Sequence, residues 1–244
     1  ARYTPGKSGK DAGAASLAYL DHALELWRQG HIQAVVTAPV TKWAIEQVHR
    51  PFVGQTEYFA KATGKRNVVM MFVADDMRVV IVTRHLALSA VSKAVTPKLL
   101  REALRQIHHS LKSQFKISRP RIALCGMNPH AGEAGLFGKE EVKVMVPVMK
   151  QLRKEGIQCE GPFAADGFFA APHTQDAVVC TYHDQGLIPF KMAARDRGCQ
   201  ISLGLPLIRT SPDHGSALDI AGEGIANPGA MRYAMELASR LIAC

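Results

Sequence analysis

Residues 176–191 read DAVVCTYHDQGLIPFK: a short apolar strand that runs straight into a His, an Asp, a Gln and a Lys around one glycine. Polar groups packed this densely at the exit of a strand are poor core material and read as a loop that carries chemistry. The same arrangement recurs upstream. IQAVVTA (32–38) leads into PVTK, MRVVIVT (77–83) into RHL, and RIALCGM (121–127) into NPHAGEAG. In open α/β sheets ligands bind beyond the carboxyl ends of the strands, so the four clusters are expected to converge on one site.

Helices fill the intervals. SLAYLDHALELWRQG (16–30) has apolar residues at helical spacing and stops on Gly30. PKLLREALRQIHHSLKSQF (97–115) carries Leu100, Leu104, Ile107 and Leu111 on one face. GKEEVKVMVPVMKQLRKEG (138–156) is a helix that Pro147 should kink, and a last helix is expected from Gly229 to Leu241. NVVMMFV (67–73) and MRVVIVT, separated only by a short turn, form an antiparallel pair. Alternation of this kind implies an α/β protein with a mainly parallel sheet.

A chain of 244 residues suffices for one large domain or two small ones. No apolar run approaches the roughly 20 residues of a membrane helix. The opening ARYTPGKSGK lacks the apolar core of a signal peptide, so a cytoplasmic protein with no membrane partner is expected. Five cysteines, odd in number and without CxxC spacing, read as reduced thiols, neither a disulfide framework nor a zinc ribbon. The net charge of +9 is compatible with nucleic acid, yet Lys and Arg alternate with acids, as in LRKEG and KEEVK. A basic surface that draws in small anions, with no nucleic-acid partner, is the expectation.

Three of the strand exits carry a histidine: His85, His130 and His183. One such residue alone reads as a hydrogen-bonded structural imidazole. Three at equivalent places read as ligands of one divalent ion, because three protein ligands and an open position describe a catalytic metal site.

NPHAGEAGLFGKEE (128–141), GPFAAD (161–166), YHDQGLIPFK (182–191) and GLPLIRTSPDHGSALDIAG (204–222) resemble the 4-hydroxythreonine-4-phosphate dehydrogenases of vitamin B6 synthesis. The resemblance covers almost the whole chain in the family's order. It implies a two-domain isocitrate/isopropylmalate dehydrogenase-like fold with mainly parallel mixed sheets. Residues 1–45 and 185–244 would form the cofactor-side domain, and 46–184 the substrate and dimerisation domain. It implies NAD-dependent oxidation of 4-phosphooxy-L-threonine to 2-amino-3-oxo-4-phosphooxybutanoate, which decarboxylates to 3-amino-2-oxopropyl phosphate. One zinc, magnesium, manganese or cobalt ion would be held by His85, His130 and His183. One of the three comes from the partner subunit of a homodimer, with the active site at the subunit interface. By the same resemblance Gln55, Thr56, Lys191, Gln200 and Arg209 bind the phosphorylated substrate, while Lys191, Asp166 and Asp184 serve catalysis.

No GxGxxG follows a strand, so a Rossmann site has no support. Instead HGSALDIAGEGIANP (214–228) resembles the adenosine-binding loop of isopropylmalate and isocitrate dehydrogenases. That likeness places His214 and Asn227 at the adenine, and Asp219 with Ile220 at the ribose hydroxyls, favouring NAD over NADP. Three features depart from the family. Gln55 stands where it has a histidine, Gln200 where it has an asparagine, and its Gly/Pro-rich N-terminal segment is absent. The chain is therefore expected to begin inside the first domain. Two alternatives stay open: a relative that oxidises another phosphorylated four-carbon acid or a dihydrodiol, or a non-catalytic fragment that binds metabolite and metal.

Overall fold

A computed structural model describes residues 4–243. Along the chain run α1 (Lys10–Arg28), β1 (Ala34–Val36), α2 (Lys42–Glu46), α3 (Gln55–Ala62), β2 (Val69–Ala74) and β3 (Met77–Ile81). There follow α4 (Leu88–Ala94), α5 (Pro97–Ser113), β4 (Arg121–Cys125), α6 (Val146–Lys154), β5 (Gln158–Phe163) and α7 (Ala165–Ala170). Then come β6 (Ala177–Cys180), α8 (His183–Ala194), β7 (Cys199–Leu203), β8 (Ile208–Pro212) and α9 (Gly229–Ala243). No helix among the described residues is long and apolar enough to cross a membrane.

The chain forms two compact units, one of residues up to Val68 together with Asp196–Ala243, the other of Val69–Arg195. In the first unit β8 pairs with β1 in parallel (Val36 opposite Thr210) and with β7 antiparallel (Gln200 opposite Ser211). Its core is Leu20 and Leu24 of α1 with Val35, Ile45, Phe52, Phe59, Val68, Leu205 and Leu207. On the other side of β8, Thr210 Oγ1 donates to the Ala234 carbonyl of α9.

In the second unit the strand order is β2-β3-β6-β4-β5. The β2–β3 hairpin is antiparallel, as the short turn predicts, and β3, β6, β4 and β5 run parallel. Leu100, Leu104, Ile107 and Leu111 are all fully buried on one face of α5, and the Thr96 hydroxyl caps its first turn by accepting from Leu99 N at 3.2 Å. The division at 68/69 and 195/196 lies past the expected 45/46 and 184/185. Phe52, Phe59 and Val68 belong to the first core, and Leu187, Phe190 and Ala194 of α8 to the second.

One local expectation changes and another takes a specific form. Residues 183–194 are a helix, not a loop, with Pro189 inside it. Gly186 permits this packing: a Cβ there would lie 2.8 Å from Val79 Cγ1 and 3.1 Å from Cys180 Sγ. Pro147 lies within a helical run that is continuous from Glu141, and the irregularity expected of it takes the form of a widened π-turn over Glu141–Met145 that leads straight into α6 just before the proline.

Cys125, Cys159, Cys180 and Cys199 are buried free thiols, while Cys244 lies outside the described residues. Burial pushes the Cys159 and Cys199 thiols up to about 12. A shift of that size leaves about a thousandfold less thiolate at pH 8 than an ordinary thiol. Alkylation followed by peptide mass spectrometry should therefore label both far more slowly in the folded protein than after unfolding. Equal rates would contradict the burial.

Candidate active site

In the second unit, the parallel strands β3, β6 and β4 all point their carboxyl ends the same way, and each exit carries a histidine. Past the end of β3, Val82 N and Thr83 N donate to the carbonyls of Cys180 (2.9 Å) and Thr181 (3.2 Å), and Thr83 Oγ1 donates to Thr181 O at 2.6 Å. These bonds carry the pairing two residues beyond the strands. His85 and His183 consequently stand side by side, with ring centroids 6.2 Å apart. Gln185, to which the sequence assigned nothing, ties the exits together. Its Oε1 accepts from Thr181 N (2.7 Å) and its Nε2 donates to Gly126 O (2.5 Å).

His183 Nδ1 is 2.7 Å from Asp184 Oδ1. A carboxylate on Nδ1 fixes the ring and turns Nε2 outward, the arrangement that suits a divalent metal. The residues present therefore fit such an ion, but the chain alone supplies a pair of rings. Among the described residues no group of three or more His, Cys, Asp or Glu is arranged to hold a metal. His130 packs its ring 6.1 Å from that of Phe137. Lys191 is exposed on α8, eight residues from His183 and about 12 Å along the helix axis. Asp166 is exposed in the first turn of α7.

His130 itself sits in a rare backbone. From His130 to Ala134 every residue has positive φ (52, 51, 78, 40 and 55°), a single left-handed turn. For the four that are not glycine this conformation costs on the order of 1–2 kcal/mol each. Strain of this kind persists only where the surroundings over-determine it, and it gathers at functional sites.

The first unit holds a separate cluster around Arg209, which is only 3% exposed. Alternation puts Gln200 and Ser202 on one face of β7, and Arg209 and Ser211 on the matching face of β8. Arg209 Nη1 donates to Gln200 Oε1 (2.7 Å), Ser202 Oγ (3.2 Å) and Thr56 Oγ1 (3.3 Å). Nη2 donates to Thr37 Oγ1 (2.6 Å) and Gln55 Oε1 (3.1 Å), and Nε to Thr37 Oγ1 (3.1 Å). The four residues expected to bind substrate in this unit thus meet at one guanidinium. Thr37, Ser202 and Ser211 join them; their one signal in the sequence is the two-residue spacing of the serines from Gln200 and Arg209.

Every oxygen on that fork belongs to a neutral group. Burial accordingly pulls the guanidinium down to about 10, opposed by the charge of Glu57. The desolvation behind such a shift is on the order of 3 kcal/mol. A cation held at that cost among neutral oxygens favours an incoming anion. Gln55 also donates its Nε2 to the Ala38 carbonyl at 2.8 Å, so its amide bridges the exit of β1 to Arg209.

The loop over 214–228 is exposed apart from the half-buried Ile220 and Ala221 and contains one 3-10 turn, Leu218–Ile220, which presents Asp219 and Ile220. His214 Nδ1 is engaged with Gly215 O at 2.8 Å, leaving Nε2 outward. Asn227 is occupied in capping α9: its Oδ1 accepts from Gly229 N at 2.8 Å. The fit to an adenosine rests on the exposed backbone, the His214 ring and the Asp219 carboxylate.

Residues 1–238 match the family described as pyridoxal phosphate biosynthetic protein PdxA. A protein of Aromatoleum aromaticum named 4-hydroxythreonine-4-phosphate dehydrogenase is 47% identical over 241 residues, 98% of this chain and 74% of that protein. The crystal structure of 4-hydroxythreonine-4-phosphate dehydrogenase from Klebsiella pneumoniae superposes with a TM-score of 0.88 at 33% identity, covering 98% of this chain and 74% of that one. Isocitrate dehydrogenase from Methylococcus capsulatus is 17% identical with a TM-score of 0.53 over 91% of this chain and 71% of that one, a likeness of fold.

Proposed function

The chain belongs to the family of the pyridoxal phosphate biosynthetic protein PdxA, and we infer from that membership how its residues divide the work of one oxidation. The activity is that of an oxidoreductase, a 4-hydroxythreonine-4-phosphate dehydrogenase in pyridoxal phosphate biosynthesis. The observation that carries the assignment of roles is Arg209, a buried cation whose hydrogen-bond partners are all neutral.

In the proposed reaction the substrate's C3 hydroxyl loses its proton to a base as hydride leaves C3 for the nicotinamide of NAD, giving the β-keto acid. The C1–C2 bond then breaks, carbon dioxide departs, and the electron pair is held as an enolate until C2 is protonated. A divalent ion, when bound, supplies positive charge at the C3 oxygen through both stages. His85, His130 and His183 are the proposed ligands, one of them from the partner subunit of a homodimer, and Asp184 orients the His183 ring. Arg209, with Thr56, Gln55 and Gln200, receives an anionic group of the substrate. Lys191 supplies a second positive charge, and Asp166 is the proposed proton acceptor. His214, Asp219, Ile220 and Asn227 line the proposed NAD loop.

A phosphate bound by Arg209 separates this reading from the alternatives. NADH and carbon dioxide should form in equal amounts from 4-hydroxythreonine 4-phosphate. Unphosphorylated 4-hydroxythreonine should have a kcat/KM lower by about a hundredfold, the loss of one charge-assisted pair. Equal kcat/KM for the two, or turnover only of a dihydrodiol, would overturn it.

Cofactor choice is predicted at Asp219. Its carboxylate accepts ribose hydroxyls and repels a 2′-phosphate, so NAD should exceed NADP in kcat/KM by about tenfold or more. Asp219→Ser should narrow the ratio. Equal specificity constants in the unaltered protein would refute the assignment.

A further inference from the structure

The left-handed turn that carries His130 is built around a carboxylate. Glu141 is 2% exposed, and its partners all belong to the loop that leads into that turn. Oε1 accepts from Met127 N (2.7 Å) and Asn128 N (2.8 Å), and Oε2 from Asn128 Nδ2 (3.0 Å). The far side of the turn closes on the same group. A Cβ on Gly132 would stand 2.6 Å from Oε2, and one on Gly126 would stand 3.2 Å from Oε1 and 2.8 Å from Ala131 Cα. His130 is thereby bracketed, with hydrogen bonds to Glu141 fixing the backbone two and three residues before it and Gly132 resting on the same carboxylate two residues after it. The Asn128 amide is fixed in turn by Glu140, whose Oε2 accepts from Nδ2 at 2.8 Å. Glu140 Oε1 accepts from Ser92 Oγ at 2.5 Å.

We propose that Glu141 is a positioning residue for the metal site, holding residues 126–132 in the left-handed turn that presents the His130 imidazole. The proposal rests on the reading of His130 as a metal ligand. Nothing in the chemistry of His130 demands a left-handed backbone, and no local preference of Ala or Glu favours one across the turn. A buried acceptor of three converging N–H groups does specify it. A carboxylate suits this place and a carboxamide does not: one end of a glutamine would have to turn N–H groups toward the Asn128 amide, leaving a buried donor facing a donor.

The test uses the full chain, metal-depleted and titrated with Co²⁺, reading both affinity by competition and the visible ligand-field spectrum. H130A should weaken Co²⁺ binding and change the spectrum, since it removes a ligand. E141Q should weaken binding by about 10–100-fold, the range found when a group orienting a ligand is lost, and should shift the spectrum while the rest of the fold melts normally. If E141Q does not fold, N128A takes its place. It keeps the carboxylate and its two backbone bonds, and should give a smaller loss in the same direction. Unaltered affinity and spectrum in a folded E141Q, or in N128A where E141Q fails to fold, with H130A impaired, would overturn the positioning role alone. Unaltered Co²⁺ binding by H130A would overturn the ligand reading and the proposal with it.

Discussion

Replacing His183 with alanine should abolish stable metal binding and lower kcat/KM by about a thousandfold or more. The ring is one of the pair held 6.2 Å apart at the exits of β3 and β6, and its loss leaves His85 as the only imidazole of that pair. Charge stabilisation by a catalytic ion amounts to several kcal/mol, and each 1.36 kcal/mol is tenfold in rate. The side chain is 43% exposed, so the melting temperature of the metal-free protein should barely move, which separates a lost ligand from a damaged fold. Asp184→Asn is the graded counterpart. It keeps every ligand and removes only the carboxylate on Nδ1, for which about 10–100-fold is expected. Metal content per chain after dialysis, measured beside kcat/KM, checks both. A His183→Ala protein with full metal content and full turnover would refute the assignment.

Arg209→Lys should be the most damaging change in the other unit. The ammonium keeps the charge but offers three donors from one point, whereas the guanidinium reaches Thr37, Gln55, Thr56, Gln200 and Ser202 from a planar fork. It is also the more strongly hydrated ion, so burying it among neutral oxygens costs more. Both effects act in one direction. Inorganic phosphate should raise the melting temperature of the unaltered protein and not of the variant, and kcat/KM for the phosphorylated substrate should fall by about a hundredfold through a higher KM. A variant with the original KM would mean that no anion is bound at Arg209.

The strands that carry the metal-side histidines were legible because each is a short, mostly apolar run (MRVVI, RIALC and AVVC), and the exits that follow them are as polar as the sequence promised. The strands of the other cluster were not. β7 (CQISL) and β8 (IRTSP) bury Gln200, Ser202, Arg209, Thr210 and Ser211, so they lack the apolar signature of a strand. Local rules fail there because the positions are given over to a buried polar network. α8 was hidden for a different reason. The dense polar residues after β6 read as a loop, yet Gly186 lets the helix lie against Val79 and Cys180, and the helix accommodates Pro189 at the loss of one backbone bond. The individual site residues in the Arg209 cluster were named by resemblance; why they meet was visible only once β7 and β8 were paired.

The left-handed turn at His130 had no precursor in composition or periodicity. Gly126, Gly132 and Gly138 hint at close approach, but the group they approach, Glu141 and its neighbours, lies in what reads as an ordinary charged helix start. A buried acid there is distinguished from a solvated one only by its partners.

The most direct test of the account is turnover by metal-depleted protein. Given NAD and 4-hydroxythreonine 4-phosphate, the stripped chain should form no NADH, and added divalent ion should restore formation in proportion to occupancy, saturating at one ion per active site. Full NADH formation in the presence of a strong chelator, with no metal retained, would contradict it.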